Sequence, residues 1–316
     1  MNSPRQGDCD REFSILFTVF TSAYQAADTI HRPFESLRRQ VSQDFEWVVV
    51  DMGTDQTDVL VRAWQEEGCS FPIRYYRLPN TGKHGAINFG VQKALGRLFI
   101  ILDADDECIP EALERLNHYW DSIPEDTKEH YAGIGVLCRD QNGDLVGSKF
   151  PLDVMDTDFL DLWHSHKVRG EKWLAIRTEV MREFPFPEMP DFRSIPESVI
   201  LFRMARKYQI RWVNEILRIY WVHPQSISRK LDPSVIAGPV SLLHLVRLNE
   251  QLDWFFRAPI FYSKSAIHYS RFCFHRGLSL RAQVRDLKNS WAKVLWGIML
   301  PVGYLTFLRD TRVLNR

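Results

Sequence analysis

The sequence predicts an α/β protein whose core is a doubly wound parallel sheet, and two patterns lead to this prediction. Between residues 13 and 102, apolar segments of five to eight residues alternate with segments of helical length, as they do in βαβ units. The segment at 98–102 (LFIIL) is apolar without alternation. Such a run is typical of a central parallel strand that is buried on both faces.

Four strands and three helices are predicted in this first part of the chain. Because the carboxyl ends of parallel strands meet at one edge of a sheet, we expect Asp51 and Asp103 to lie at that edge, where one ligand can touch both. The predicted strands are residues 13–20, 45–50, 73–78 and 98–102, and the predicted helices are about residues 29–40, 55–67 and 83–95.

After residue 131 the pattern becomes mixed. A hairpin is predicted at residues 132–149, because a Gln-Asn-Gly-Asp turn lies between two short apolar segments, 132–138 and 145–149. Further strands are predicted at 172–176, 211–213 and 217–221, and a helix at 197–207; from residue 233 the chain is mostly helical.

The predicted organisation is a loose N-terminus (1–12), a catalytic domain (13–228) and a helical C-terminal region (229–316), with the boundary near 224–233. A helical appendage packed on the first domain and an independent domain both fit this pattern.

The composition excludes several classes of protein. The formal net charge is zero, so binding to nucleic acid through phosphate neutralisation is not expected. The five cysteines are scattered without zinc or redox spacing, which favours a reducing cytoplasm. The polar first residues do not resemble a signal peptide.

Three carboxylates follow the strand at 98–102, namely Asp103, Asp105 and Asp106. Side chains of like charge at the end of a buried strand need a cation, and carboxylate oxygens are the ligands that Mg²⁺ and Mn²⁺ prefer. These ions in turn hold phosphates. The alternative is an acidic loop that caps the helix beginning near Pro110, but capping uses one aspartate rather than three.

Other nucleotide-binding motifs do not fit. No GxxxxGK[ST] sequence precedes the acidic strand end, and Gly133 and Gly135 lie within a strand and lack a third glycine. His164 and His166 are two residues apart, so on a helix they point in different directions and are interpreted as surface or packing residues.

The remaining segments with a recognisable pattern are Val19–Thr21 with Tyr24; Asp44–Asp51 with Gly53 and Thr54; Gly82–His84 with Ala86–Asn88; Asp103–Asp106; Phe186–Glu188; and Ile195–Ser198. Each segment is short, but their order and spacing together are specific. In these segments the chain resembles the inverting family 2 glycosyltransferases of the GT-A fold, which have a doubly wound mixed sheet, and the similarity runs from residue 13 to about 228.

The resemblance implies a glycosyltransferase of the hexosyl type that moves a sugar from a UDP-linked or other nucleotide donor to a glycan or lipid-linked saccharide in polysaccharide or cell-envelope synthesis. It implies Mn²⁺ or Mg²⁺ on Asp103 and Asp105, the DXD motif, and Glu197 as the catalytic base. The donor set it implies is Thr21, Tyr24, Asp51, Lys83, His84, Asn88, Asp103 and Ala104, and the acceptor region is Glu171, Lys172 and Trp173. Trp173 would either stack on a sugar or fill the core.

Two departures from the family pattern fall in the nucleotide pocket. The usual Thr-Pro-Thr-Tyr-Asn-Arg is replaced by Thr-Ser-Ala-Tyr-Gln-Ala at residues 21–26, and the usual second aspartate after Asp51 is Met52. Two alternatives therefore stay open: a sugar nucleotidyltransferase and a catalytically silent partner subunit at a membrane. The first usually has a Gly-rich basic loop after its first strand, which residues 21–26 lack.

The C-terminal segment 294–308 is apolar throughout and is flanked by cations on both sides. Its 15 residues are short for a membrane span, and Pro301 is expected to interrupt the helix. We expect either a helix lying peripherally on the inner face of the plasma membrane or a helix packed on the protein or on a second copy in a homo-oligomer.

Overall fold

The computed structural model describes residues 14–188, 195–222 and 233–314. Within these residues nine strands form a single sheet. The strands are β1 (Ile15–Ala23), β2 (Phe45–Asp51), β3 (Ile73–Arg77), β4 (Gly96–Ile101), β5 (Glu107–Cys108), β6 (Tyr131–Asp140), β7 (Val154–Thr157), β8 (Lys172–Arg177) and β9 (Gln209–Tyr220).

Helices cover both faces of the sheet and form the C-terminal part of the chain. They are α1 (His31–Arg38), α2 (Thr57–Glu67), α3 (Gly82–Lys93), α4 (Ala112–Asp121), α5 (Phe159–His164), α6 (Thr178–Glu183), α7 (Ser198–Met204), α8 (Pro233–Glu250), α9 (Pro259–His275), α10 (Leu280–Asp286) and α11 (Ser290–Leu314).

The order of the strands in the sheet is β3-β2-β1-β4-β8-β6-β9-β5, and β7 also pairs with β9. Strands β1 to β4 are parallel to one another, whereas β8 is antiparallel to both β4 and β6, and β9 is parallel to β6. The α/β prediction is confirmed, and the sheet is mixed. This topology brings the carboxyl ends of β4, β6 and β9 and the amino end of β8 to one edge.

The central strands are apolar on both faces because each face is covered by helices. In β2, Trp47 and Val49 belong to the core layer that contains residues of α1, α2 and α4, whereas Val48 and Val50 belong to the layer on the opposite side with residues of α3, α6 and α7. All four side chains are completely buried. Burial of such a side chain contributes about 1.5–3 kcal/mol, so these two layers hold the strand ends that carry the polar residues.

The C-terminal helices form a third core around Leu248, Tyr262 and Leu295. They pack on the sheet domain: the Arg247 guanidinium carbon lies 4.7 Å from the ring centre of Phe202 in α7 and 4.6 Å from that of Phe261 in α9. Of the two arrangements left open above, these contacts favour the helical appendage, and the domain division stays a prediction. The boundary expected at 224–233 and the loose N-terminus at 1–12 lie outside the described residues, apart from the first residue of α8.

The second strand of the predicted hairpin is absent from the structure. The turn forms, since Asp140 N donates to Asp144 O at 2.8 Å, but Leu145 makes only an isolated bridge to Arg139. Strand β8 pairs with β6 from Gly133 to Leu137, and β9 lies on its other side. Only the last residues of β6 keep a free edge, where Val146 N also donates to Cys138 O at 3.0 Å, so the returning chain has too little edge to form a strand.

Two further boundaries differ from the prediction. The strands predicted at 211–213 and 217–221 are one continuous strand, β9. Its register against β6 shifts between Val136 and Cys138, and these shifts accommodate the polar residues between the two predicted strands.

Helix α11 runs through Pro301 without a break. Proline removes one backbone donor, and the residue four positions earlier, Gly297, is exposed, so water can satisfy its carbonyl oxygen.

Candidate active site

The acidic segment after β4 is anchored to β1 at the carboxyl edge of the sheet. Leu102 N donates to Phe20 O at 2.9 Å, and the Thr21 hydroxyl donates to Leu102 O at 2.7 Å. The indole nitrogen of Trp47 in turn donates to the Thr21 hydroxyl oxygen at 2.9 Å. Leu102, the residue before Asp103, is therefore hydrogen-bonded through both its backbone N–H and its carbonyl oxygen.

Asp103 lies between two cations. Its Oδ1 is 2.7 Å from Lys83 Nζ, and its Oδ2 accepts from Arg218 Nη2 at 2.9 Å. Burial opposes ionisation, but Lys83 and Arg218 outweigh it and lower the pKa of the Asp103 carboxyl to about 2. The side chain is 23% exposed, so Asp103 is a charged carboxylate that a ligand can reach.

Arg218 on β9 is the residue that sequence reasoning missed. Its side chain is only 4% exposed, and besides Asp103 it binds both Asp106, at 2.8 Å from Nε, and Glu171, at 3.7 Å from Nη1. Burial alone would lower the pKa of Arg218, but these carboxylates raise it well above its usual value. The signal in the sequence is an arginine between Leu217 and Ile219 in an apolar strand, because a buried charge there needs a partner.

Asp106 faces the protein interior and not the open edge. One carboxylate oxygen pairs with Arg218 through Nε and Nη2, and the other accepts from the backbone N–H of Trp221 at 2.8 Å. The three aspartates therefore do not all await an external cation: Arg218 already neutralises Asp106. This corrects the expectation that all three carboxylates share one ligand.

The acidic loop after β4 is also held by an arginine from α1. Arg32 Nη1 donates to the backbone oxygen of Asp105 at 3.1 Å, and its guanidinium carbon lies 3.9 Å from the centre of a ring of Trp221. The indole nitrogen of Trp221 donates to Glu107 at 3.0 Å. Helix α1, the acidic loop and the end of β9 are thus tied together around Asp105.

Lys83 joins the acidic loop to Glu197. The lysine lies in the first turn of α3, which the chain enters through Gly82 at φ +76°, a conformation that favours glycine. Its Nζ is 3.6 Å from Glu197 Oε1, at the residue that precedes α7, and Glu197 is 36% exposed. Burial lowers the pKa of Lys83, but Asp103 and Glu197 outweigh this and raise it, so Lys83 carries a positive charge at neutral pH.

The carboxylates suit a divalent cation that is shared with a ligand. Within residues 14–188, 195–222 and 233–314 no group of three or more His, Cys, Asp or Glu side chains is arranged to hold a metal. Asp103 is charged and partly exposed, and Asp105 is partly exposed two residues later. Two carboxylates with the other ligands supplied by phosphate and water are the arrangement that Mg²⁺ commonly adopts, so these residues fit such an ion.

Three of the predicted donor-binding side chains are buried in the structure. Thr21 and Asp51 are 0% exposed, and His84 is 2% exposed. Asp51 is bonded to the Tyr75 hydroxyl at 2.8 Å and to Gly53 N at 2.7 Å, and burial raises the pKa of Tyr75 to about 12, so the phenol stays protonated. In this structure these side chains support the strand ends, and their direct contact with a donor stays a prediction.

Asn88 is also a supporting residue. Its amide nitrogen donates to Phe186 O and its amide oxygen accepts from Phe186 N, both at 2.9 Å. These two hydrogen bonds fix Phe186, in the segment that leads toward α7 and Glu197. Of the other predicted donor residues, Tyr24 is 51% exposed, and Ala104 is partly buried within the acidic loop.

The predicted acceptor residues begin β8 beside the acidic loop. Trp173 is 2% exposed and its indole nitrogen donates to Ile101 O at 2.7 Å, so of its two interpretations the structure has the core residue. Lys172 Nζ is bonded to the carbonyl oxygens of residues 169–171. Glu171 is 41% exposed. Glu197, Arg218, Lys172 and Trp173 line one pocket.

Part of the sequence matches a known protein family. Residues 18–127 match the sequence model of glycosyl transferase family 2. This part of the chain, about a third of its length, is thus similar to glycosyltransferase family 2. The matched residues include Lys83, Asp103 and Asp105, whereas Glu171, Glu197 and Arg218 lie beyond them.

Two relatives and one solved structure illustrate the similarity. An uncharacterized glycosyltransferase from Nostoc sp. is 27% identical over 65% of this chain and 64% of its own length. An undecaprenyl-phosphate 4-deoxy-4-formamido-L-arabinose transferase from Pseudomonas syringae is 33% identical over 33% of this chain and 31% of its own length. The chain thus spans less than two thirds of the length of either relative.

The solved structure shares the fold. The crystal structure of S. aureus TarS 1–349 in complex with UDP-GlcNAc superposes with a TM-score of 0.60 at 18% identity, covering 89% of this chain and 78% of that one. At this identity the likeness concerns the fold alone. The sheet described above is the GT-A fold.

Proposed function

We propose that this chain is an inverting, metal-dependent glycosyltransferase that moves a sugar from a nucleoside diphosphate to a hydroxyl group of a growing glycan. The observation that carries the proposal is the position of Lys83, with Nζ 2.7 Å from Asp103 and 3.6 Å from Glu197. One small site thus combines a charged carboxylate for a cation, a cation for phosphate and a second carboxylate for a proton.

The donor is a sugar nucleotide, and we infer that its nucleoside is uridine. The TarS structure with UDP-GlcNAc supports this choice through the shared fold. Asp103 and Asp105 would hold Mn²⁺ or Mg²⁺, which would stabilise the negative charge of the departing diphosphate. Lys83 adds positive charge on the other side of Asp103, and the exposed ring of Tyr24 offers a surface for the base.

The proton of the acceptor hydroxyl passes to Glu197. The acceptor oxygen forms a bond to the anomeric carbon on the face opposite the diphosphate, and the bond from that carbon to the phosphate oxygen breaks with its electron pair on the diphosphate. Glu197 is 36% exposed, so an acceptor can reach it, and it lies at the start of α7 beside the pocket that Arg218 lines. A positioned carboxylate of this kind is a usual general base.

The acceptor is a saccharide or a lipid-linked saccharide at the cytoplasmic face of a membrane. The undecaprenyl-phosphate transferase named above supports a lipid-linked acceptor. Glu171 at the amino end of β8 is 41% exposed and lies 3.7 Å from Arg218, so it is the predicted acceptor residue best able to bind sugar hydroxyl groups.

The proposal is tested by binding. The full chain is titrated by calorimetry with a panel of UDP-, GDP- and dTDP-sugars, each with and without Mn²⁺. We expect one UDP-sugar to bind only when the metal is present. Asp105→Asn should lose this metal-dependent binding. If no nucleotide sugar binds under either condition, the chain is a silent partner and the proposed transfer is wrong.

A further inference from the structure

Helix α11 carries an apolar stripe that no other described part of the chain covers. The stripe consists of Trp291, Val294, Ile298, Val302 and Leu305, each between 44% and 63% exposed. Their spacing of three or four residues puts them on one face of the helix. Single exposed apolar residues are ordinary, but a continuous row along a helix marks an interaction surface.

The stripe extends at its amino end to an aromatic group. The ring of Phe255 lies 6.2 Å from that of Trp291 and 5.6 Å from that of Phe256, measured between centres. Phe256 is 85% exposed. The apolar surface therefore continues from α11 onto the segment before α9.

Positive charge surrounds the stripe. Arg309 and Arg312 follow Leu305 at helical spacing and are exposed, as is Lys293. The one acidic residue of α11, Asp310, points away: it pairs with Arg271 and His275 on α9. Residues 255–316 contain 11 of the 40 Lys and Arg residues but only 2 of the 40 Asp and Glu residues.

The opposite face of α11 is packed on the protein. A Cβ atom on Gly303 would lie 2.6 Å from Ser270 Cβ on α9, so the two helices touch closely there. The Trp296 indole nitrogen is bonded to Gln283 Oε1 at 3.2 Å. Lipid cannot surround α11 unless these contacts and the ion pairs of Asp310 are broken.

This packing, and not the length of the helix, decides against a span. Among the described helices α11 is the one long and apolar enough to cross a membrane, because its 25 residues extend over about 37 Å at about 1.5 Å per residue. The expectation that the segment is too short and is broken at Pro301 is therefore wrong.

We propose that the α11 stripe docks on the surface of an anionic lipid bilayer, with the helix axis in the plane of the membrane. The apolar side chains enter the interface while Lys293, Arg309 and Arg312 meet the headgroups. A second copy of the chain fits less well, since it would bring the same cations together without carboxylates to pair them, whereas anionic lipids supply that charge. The proposal does not rest on the transfer reaction.

The test is co-sedimentation of the full chain with vesicles, without donor or acceptor. Vesicles of phosphatidylcholine alone are compared with mixed phosphatidylcholine and phosphatidylglycerol vesicles at low and high salt. We expect binding to the mixed vesicles only, weakened by salt. Leu305→Asp should reduce it by about tenfold or more. The matched control is Leu152→Asp, because Leu152 is 62% exposed and Leu305 is 63% exposed.

Each other outcome overturns the proposal. If Leu305→Asp and Leu152→Asp lose vesicle binding equally, and both are folded by circular dichroism, binding depends on the net charge and not on the stripe. A dimer in sedimentation velocity that Leu305→Asp dissociates, without vesicle binding, would assign the stripe to a second copy. Binding that resists carbonate extraction would show insertion of α11. Any of these results leaves the nucleotide-binding test of the proposed function unaffected.

Discussion

The ammonium group of Lys83 forms an ion pair with Oδ1 of Asp103, at a distance of 2.7 Å. Asp103 is also the side chain proposed to hold a metal, so lysine and metal compete for the same carboxylate. When a nucleoside diphosphate is present, its phosphates offer Lys83 another partner. If the proposed metal and donor bind here, the ion pair would couple the two, since each ligand would remove an obstacle to the other.

Lys83→Met should strengthen the binding of Mn²⁺ in the absence of nucleotide, because it removes a positive charge next to the site. It should also weaken UDP binding, so that UDP increases the affinity for Mn²⁺ by a smaller factor than it does with Lys83 present. The measurement is the decrease of the free Mn²⁺ signal in electron paramagnetic resonance, with and without UDP. Lys93→Met, at the exposed end of the same helix, is the control. Unchanged Mn²⁺ affinity in Lys83→Met would refute the competition.

Asp103→Asn and Asp105→Asn should each abolish transfer, because an amide does not supply the charge that a divalent ion needs. Asp103→Asn also removes the charged partner of Lys83 and Arg218, so only this variant should have a lower unfolding temperature. Transfer is measured with the native acceptor under saturating Mn²⁺ and again under excess EDTA. Activity in either variant that survives EDTA contradicts the metal assignment.

Asp106→Asn should act on stability. The side chain of Asp106 is 1% exposed and pairs with Arg218, which is 4% exposed, and removal of one partner leaves a buried charge. The expected loss is about 3 kcal/mol of the free energy of unfolding, reduced to the extent that Asp103 retains Arg218. Urea unfolding of Asp106→Asn beside Asp105→Asn measures it. Equal midpoints for the two variants would mean that Asp106 does not brace the loop.

The parts of the fold that the sequence predicted are those that depend on local pattern. Strands β2 and β4 were predicted within two residues, because a strand buried on both faces is apolar throughout. The second strand of the hairpin predicted at 132–149 was wrong, because β8 and β9, which come from distant parts of the chain, occupy most of β6. A turn signal specifies the turn but does not specify whether a free edge is available beside it.

The candidate site shows the same division. The order of motifs indicated Lys83, Asp103 and Glu197, and the structure brings them together. It did not indicate Arg218, whose partners lie 47 to 115 positions away along the chain. Nor did it indicate that Asp51 is closed off by Tyr75, since residue type alone does not reveal which way a strand-end side chain points.

Glu197→Gln should leave donor binding near normal and reduce turnover by about a hundredfold or more, the usual scale for the loss of a positioned base. The amide keeps the size of the side chain, and Lys83, 3.6 Å from Glu197 in the structure, keeps its closer partner Asp103 at 2.7 Å, so the loop around Asp103 should not move. The measurements are UDP-sugar affinity by calorimetry and turnover at saturating donor. The matched control is Glu188→Gln, because Glu188 is an exposed carboxylate in the segment that precedes α7, and it should retain both values. If Glu197→Gln loses donor affinity while turnover at saturating donor is unchanged, Glu197 binds the donor and another group takes the proton.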